Sequence, residues 1–410
     1  MSDNPNAMSD NPVKQRVKPA REKPKGDPIL RIMELYRNDA RPHKIDLSVG
    51  VYKDEAGNTP VLPSVKTAER RLFEQQESKS YVGLAGNAQF SAALGSQIFD
   101  QSKLNSSRLA AIQSVGGSGG LRLGFEYALQ CEGVKRLLVS TPTWENQAGI
   151  AGATGLEVAR YPYYDRDSGQ ALTEQMMAAL AGCGPQDAVM LHGCCHNPSG
   201  SDLSVQQWEQ IADSAATHGW LPMIDLAYAG FGGPIDQDTA GLNALIARVP
   251  TTVVAVSCSK IFGLYRERVG AVYIATDSAD SADLAAAEMM RIAREIYSMP
   301  PDHGAAVVQT ILHDDELRAQ WLNELADMRD RINGVRSVLA NEMNRLDGSD
   351  RFSHLASQNG MFSLLPLSVE QVHQLRDEHA VYVIEDGRTN VAGVTEANAA
   401  QVAKAIMAVL

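Results

Sequence analysis

Thr251-Thr252-Val253-Val254-Ala255-Val256-Ser257-Cys258-Ser259-Lys260-Ile261-Phe262-Gly263-Leu264-Tyr265-Arg266-Glu267-Arg268-Val269-Gly270 joins an apolar run to a cluster of charged and hydroxyl side chains. The residues before Ser257 are β-branched and apolar without a break, the mark of a strand buried on both faces. A lysine at the end of such a strand is held at the edge of a core. Ser257 and Ser259 flank it, and Arg268 lies eight positions on. An amine forms Schiff bases with aldehydes. Hydroxyls and a planar guanidinium hold phosphate oxygens. The combination suits an aldehyde cofactor that carries a phosphate. Taken alone, the same residues also read as a snorkelling surface lysine beside a surface arginine.

The remaining composition narrows the class. The chain has 410 residues, 44% of them hydrophobic, which allows a large core and about two to three domains. It carries 37 Lys+Arg against 49 Asp+Glu, a net charge of −12. An acidic chain is a poor partner for nucleic acid. No apolar run approaches the ~18 to 20 residues that span a bilayer. The five cysteines, Cys131, Cys183, Cys194, Cys195 and Cys258, are sparse and odd in number. With no secretory signal, they predict a reducing, cytoplasmic setting. Cys194-Cys195-His196 does not match zinc spacing, so no metal is expected. Residues 1–26 hold the near-repeat Met1-Ser2-Asp3-Asn4-Pro5 and Met8-Ser9-Asp10-Asn11-Pro12 and read as a disordered leader.

From about residue 105 strands and helices alternate. Leu109–Ile112, Arg136–Ser140, Ala188–His192, Leu221–Asp225 and the run before Lys260 read as strands. Gly116-Gly117-Ser118-Gly119-Gly120 reads as a glycine-rich turn, and residues 205–217 as a helix. The pattern predicts an α/β fold: a large domain, residues 61–320, with a mainly parallel sheet covered by helices. A long charged helix, about Asp314 to Leu346, leads into short strands at 361–365, 380–384 and 390–393 and a closing helix at 396–409. These predict a smaller α+β domain over residues 321–410, completed by an N-terminal arm, residues 27–60.

The chemistry-bearing residues fall at the carboxyl ends of the predicted strands, where open α/β sheets bind ligands. The glycines at 116–120 precede a helix and favour a phosphate, or form a plain tight turn. Asp225 ends a buried strand, where an acid needs a partner. A pyridinium nitrogen is suitable; a helix N-cap is the alternative. Asn197 and Tyr228 can donate to a phenolate oxygen, although Asn197-Pro198-Ser199-Gly200 also reads as an ordinary turn. Trp144 suits ring stacking or core packing. Arg388 suits bidentate capture of a carboxylate, or lies on the surface.

Together these segments resemble class I aminotransferases of fold type I, in the aspartate/aromatic subgroup, from about Asp27 to Leu410. The resemblance rests on Ser-x-Ser-Lys-x-Phe-Gly-Leu-Tyr-x-Glu-Arg-x-Gly at 257–270, His-x-Cys-Cys-His-Asn-Pro-Ser-Gly at 192–200, Asp-x-Ala-Tyr-x-Gly-Phe-Gly at 225–232 and Gly-Arg-x-Asn-Val-Ala-Gly at 387–393. It implies pyridoxal 5′-phosphate as cofactor and Lys260 as Schiff-base lysine and proton shuttle. Asp225 would meet the pyridine nitrogen, with His192 behind it, and Tyr228 and Asn197 the phenolate oxygen. Trp144 would stack on the ring. Gly117, Ser118, Ser257, Ser259 and Arg268 would hold the phosphate. Arg388 would take the substrate α-carboxylate, with Gly50 nearby. A homodimer is implied, because Tyr81 would reach the phosphate, and Arg294 the distal part of the substrate, from a partner subunit.

Three departures stand out. Gln147 replaces the usual His, which predicts a looser surround for Asp225. Met299 replaces a small or polar residue and Ile261 the usual Asn, which bears on substrate range. The expected reaction is amino transfer from tyrosine or phenylalanine to 2-oxoglutarate. Met299 and Ser118 favour the aromatic reading, whereas Val51, Lys53 and Thr59 look like the aspartate-specific pattern. The alternatives are an aspartate aminotransferase and, more remotely, a lyase or decarboxylase on the same fold. A ligand-sensing transcription regulator is disfavoured by the acidic charge and the short segment ahead of the core.

Overall fold

A computed structural model describes residues 28–410; the expected leader, residues 1–26, lies outside them. At its centre is a seven-stranded sheet. In spatial order its strands are Leu109–Val115, Val269–Ala275, Thr252–Ser257, Leu221–Leu226, Asp187–His192, Arg136–Thr141 and Glu157–Pro162. All residues of Thr252–Ser257, Leu221–Leu226 and Val269–Ala275 are buried. Helices cover both faces, which is why these strands are mainly apolar rather than alternating.

The sheet is parallel except at Val269–Ala275, which runs antiparallel to both neighbours. That strand and Glu157–Pro162 were not read from sequence. The reversed strand has a consequence for the ligand edge. Strands that end at Val115, His192, Leu226 and Ser257 point one way, and the reversed strand starts at that same edge, pairing Val269 with Val115 and Gly270 with Ser257. Arg268, one residue earlier, is thereby delivered beside the residues after Val115 and beside Ser257.

Two sequence expectations are corrected here. Gly116–Gly120 is the first turn of a helix, Gly116–Gln130, rather than a turn between elements. Its small residues let the helix sit directly on the sheet: a Cβ on Gly120 would lie 3.3 Å from Ala255 Cβ. Residues 390–393 are not a strand. The strand is Arg388–Asn390, and Val391–Gly393 forms a 3₁₀ turn, because the Asn390 side chain caps the Ala392 N–H at 3.1 Å.

Helix Val205–His218 begins at a capping box, Ser204 with Gln207, and stops at Gly219 with φ 76°. The long helix Asp315–Asp347 turns a stripe of buried residues, including Trp321, Leu325, Ile332 and Leu339, onto the core. Trp321 stacks on Phe262 with ring centres 4.3 Å apart and donates to the Ile261 carbonyl at 2.7 Å. This fixes the turn that follows Lys260. Strand Ile45–Asp46 pairs in parallel with Val381–Tyr382, and Phe362–Leu364 pairs antiparallel with Arg388–Asn390. The N-terminal arm and the C-terminal segment are thus joined by backbone hydrogen bonds.

Gly270 shows how tightly the ligand edge is built. A Cβ there would lie 2.5 Å from the Val256 carbonyl oxygen and 2.8 Å from the Gly116 carbonyl carbon, both backbone. Gly270→Ala should therefore lower stability by about 1–3 kcal/mol, measured by urea denaturation. An unchanged midpoint would show that this edge can yield.

Candidate active site

At the carboxyl edge of the sheet lies a cavity of about 300 Å³. Gly50, Gly117, Ser118, Trp144, Asn197 and Asp225 line it, with Tyr228, Ser257, Ser259, Lys260, Arg268 and Arg388. Twelve of the fourteen residues singled out from sequence therefore meet in one place. The other two, Tyr81 and Arg294, are exposed on this chain and lie outside the cavity.

One end of the cavity is built for an anion. Arg268 Nη1 donates to Ser259 Oγ at 3.2 Å and to the Tyr265 carbonyl at 3.3 Å. Ser257 Oγ caps the Ser259 N–H at 3.2 Å. Gly116 has φ 65°, and a Cβ there would strike Arg268 Nη2 at 2.5 Å. A Cβ on Gly117 would come within 3.0 Å of Ser257 Cβ. Only bare backbone lets the helix start approach the guanidinium so closely. Helix-start N–H groups, hydroxyls and an arginine with no ion-pair partner among the described residues make a phosphate-sized cradle.

Lys260 stands at the centre. Its Nζ is 5.4 Å from the centre of the Tyr228 ring. Burial lowers its pKa to about 8; Asp225 opposes this and the arginines 268 and 388 add to it. The free amine, which is the nucleophile, is therefore accessible near neutral pH. Burial likewise raises the Tyr228 hydroxyl well above its ordinary value, so it remains a hydrogen-bond donor.

Asp225 is held from behind. Gln147 Nε2 donates to Asp225 Oδ2 at 2.7 Å, and Thr143 Oγ1 donates to Gln147 Oε1 at 2.7 Å. Gln147 is fully buried. This corrects the expectation that a glutamine here would loosen the surround. The amide is long enough to reach the carboxylate. His192 packs against the same amide, with Nε2 3.0 Å from Gln147 Nε2 and 3.3 Å from Oε1, and its Nδ1 accepts the Asn197 N–H at 3.0 Å. That bond places a neutral ring's proton on Nε2. Burial lowers the pKa of His192, with Asp225 opposing. The His196 ring lies tilted at 4.4 Å from it, and its pKa is lowered further, by burial and by His192.

At the other end Arg388 is 7% exposed, with no carboxylate in ion-pair distance among the described residues and Nε buried without a partner. Nη1 donates to Asn197 Oδ1 at 3.3 Å, and the guanidinium carbon lies 4.6 Å from the Phe362 ring centre. A buried guanidinium with donors to spare fits an incoming carboxylate. Phe362 was not anticipated from sequence, where it read only as part of a strand; no linear signal marks which ring will lie under a distant arginine.

Cys194, Cys195 and Asp238 also lie together. The Asp238 carboxylate accepts N–H groups of Gly230, Gly232 and Gly233 at 2.7, 3.0 and 2.8 Å; the hydrogen bond with Cys195 and burial raise the Cys194 thiol, and burial raises that of Cys195. The group ties down a glycine loop. Ile261 is buried in the core and does not reach the cavity, so its difference from the usual Asn does not touch a substrate directly.

The fold and this site define an enzyme class. The model of the family "Aminotransferase class I and II" matches residues 42–406, and the chain belongs to that family. It falls in the subgroup of aspartate and aromatic-amino-acid aminotransferases. It is 46% identical to a tyrosine aminotransferase of Rhizobium meliloti, over 92% of this chain and 96% of that one. It is 43% identical to an aspartate aminotransferase of Salmonella typhi, over 94% and 98%. The aromatic-amino-acid aminotransferase of Burkholderia pseudomallei, solved covalently bound to pyridoxal phosphate, superposes with a TM-score of 0.92 at 38% identity, covering 96% of this chain and 99% of that one.

The lowered pKa of Lys260 gives a direct test. In cofactor-free protein, trapping of Lys260 by a small aldehyde and borohydride should rise with pH through a midpoint near 8, against 10.5 for an ordinary lysine. Neutral amine accumulates above the folded-state pKa, so the rate climbs, not falls, across that window. A midpoint above 10 would mean the amine is solvated.

Proposed function

We propose that this enzyme moves the amino group of tyrosine or phenylalanine to 2-oxoglutarate, with pyridoxal 5′-phosphate as its cofactor. The observation that carries the amino-transfer reading is a half-buried, easily deprotonated lysine set between Asp225 and an unpaired buried arginine. When bound, the cofactor supplies an aldehyde that captures the amino group and a ring that draws electrons from the substrate Cα. Gly117, Ser118, Ser257, Ser259 and Arg268 hold its phosphate. Asp225 keeps the ring nitrogen protonated, and Asn197 and Tyr228 donate to its phenolate oxygen. Trp144 covers the ring. Arg388 takes the α-carboxylate, with Gly50 leaving room beside it. Lys260 Nζ takes the proton from Cα as general base.

The aromatic preference rests on the cavity wall. Ile29, Val49 and Phe362 give it an apolar side. Lys53, which suggested an aspartate pattern, is turned away into an ion pair with Asp46 at 3.0 Å, and Thr59 donates to the Tyr52 carbonyl. Neither lines the cavity. The active unit in this reading is a homodimer. Tyr81 is 90% exposed, and the N–H of the next residue, Val82, donates to Met299 Sδ at 3.3 Å. This surface would close a partner's site with Tyr81, Arg294 and Met299. No helix among the described residues is long and apolar enough to cross a membrane, and the five cysteines are free, which supports a cytoplasmic setting.

Lys260→Ala should leave the fold intact and remove nearly all amino transfer; retained turnover would sink the assignment. Release of ammonia or carbon dioxide without amino transfer would favour a lyase or decarboxylase. For specificity, kcat/KM is compared for tyrosine, phenylalanine and aspartate with 2-oxoglutarate. A preference for aspartate above about a hundredfold, near 2.7 kcal/mol, would overturn the aromatic reading. Gln147→Leu, which strips the donor from Asp225, should weaken cofactor retention roughly ten- to hundredfold in equilibrium dialysis.

A further inference from the structure

Arg336 is a buried cation with no ion-pair partner among the described residues. It sits on the long helix Asp315–Asp347 and is 1% exposed. Among the described residues no carboxylate lies within ion-pair distance of it; Asp202 and Cys195 act on it only through space, and burial lowers its pKa to about 10. Packing alone does not call for a charge here. An apolar side chain of that length would fill the volume without the desolvation cost.

Both of its Nη groups donate to one short segment, while Nε is buried without a partner. Nη1 donates to the Phe362 carbonyl at 3.3 Å and to Ser363 Oγ, and Nη2 donates to the Gly360 carbonyl. The same segment is pinned from the opposite side by the turn that carries Asn197. Asn359 N–H donates to the Gly200 carbonyl at 2.8 Å. Gly360 lies against Cys195 so closely that a Cβ there would be 2.4 Å from Cys195 Cβ. What the segment presents to the cavity is the Phe362 ring. That ring lies under the Arg388 guanidinium at 4.6 Å and edge-on to Tyr228 at 6.2 Å, and it leaves no room for a Cβ on Gly50, which would meet Phe362 Cζ at 2.8 Å. The strand pairing adds a second link, because Phe362–Leu364 is hydrogen-bonded to Arg388–Asn390.

We propose that Arg336 is a positioning residue for Arg388: clamped on residues 360–363, it holds the Phe362 ring as the floor on which the Arg388 guanidinium rests. Arg336 itself lies outside the cavity and touches no substrate. Three hydrogen bonds converging on two carbonyls and a hydroxyl fix both the height and the tilt of the strand start, which a single apolar contact would not. The inference rests on the reading that Arg388 binds the α-carboxylate.

The test uses holoenzyme and 3-phenylpropanoate, a carboxylate with no amine to transfer, with binding read by calorimetry. In Arg336→Met its dissociation constant and the KM for both tyrosine and aspartate should rise about tenfold or more, while kcat changes less than about threefold, because the α-carboxylate is the group all three share. Ser363→Ala, which removes one acceptor and should fold even if Arg336→Met does not, should show the same split at about threefold. Unchanged carboxylate binding in a folded Arg336→Met, or in Ser363→Ala where the first does not fold, overturns the proposal. So does a loss confined to kcat. If Arg388→Leu also leaves 3-phenylpropanoate binding unchanged, the assignment of Arg388 fails and the proposal falls with it. Loss in Arg388→Leu without loss in Arg336→Met refutes the clamp alone.

Discussion

An amine kept out of water is the constraint on which the rest of this molecule depends. Lys260 sits in the short helix Cys258–Ile261, just past a strand with no solvent-facing side, so its charged form is disfavoured and its neutral form becomes available near neutral pH. Burial alone would be a liability. It becomes chemically useful because the groups around the amine are arranged by charge: one acid, Asp225, on the neighbouring strand, and two guanidinium groups, Arg268 and Arg388, at opposite ends of the cavity. The surrounding core, from Phe262 stacked on Trp321 to the fully buried central strands, holds that arrangement in place.

Sheet polarity explains how residues from distant segments meet. Strands that run the same way deliver their following residues to one edge. The single reversed strand contributes the residue that precedes it instead, which is how Arg268 joins Ser257 and the helix start at Gly116. The two arginines are then matched to different anions by their surroundings. Arg268 has hydroxyls and bare helix-start backbone beside it. Arg388 has the Phe362 ring, the Asn197 amide oxygen and a buried Nε without a partner.

The same economy of neutral donors appears behind Asp225. Gln147 offers an N–H where the family more often has an imidazole, and His192 and His196 are pushed toward neutrality by burial. The carboxylate is therefore steadied by groups that carry no charge, and its own charge faces the cavity with little competition from behind.

Legible in the sequence were the alternation of strands and helices, the place of Lys260 just beyond a buried strand, and the presence of Asp225, Asn197, Arg268 and Arg388 at or beside strand ends. These are legible because burial on two faces demands continuous apolar runs, and because ligand-binding residues in parallel sheets follow those runs. Tertiary structure decided what depends on contacts between remote segments. The stretch 116–120 opens a helix laid against the sheet, and Arg268 and Ala255 leave no room for side chains at Gly116 and Gly120. Gln147 tightened rather than loosened Asp225 because the sheet and the helix beginning at Asn146 bring the amide to hydrogen-bond distance. Lys53 left the cavity because Asp46 claims it. Arg336 and Phe362 carried no sign of a role in one dimension, since a floor beneath an arginine exists only once two strands are paired and a long helix is laid across them.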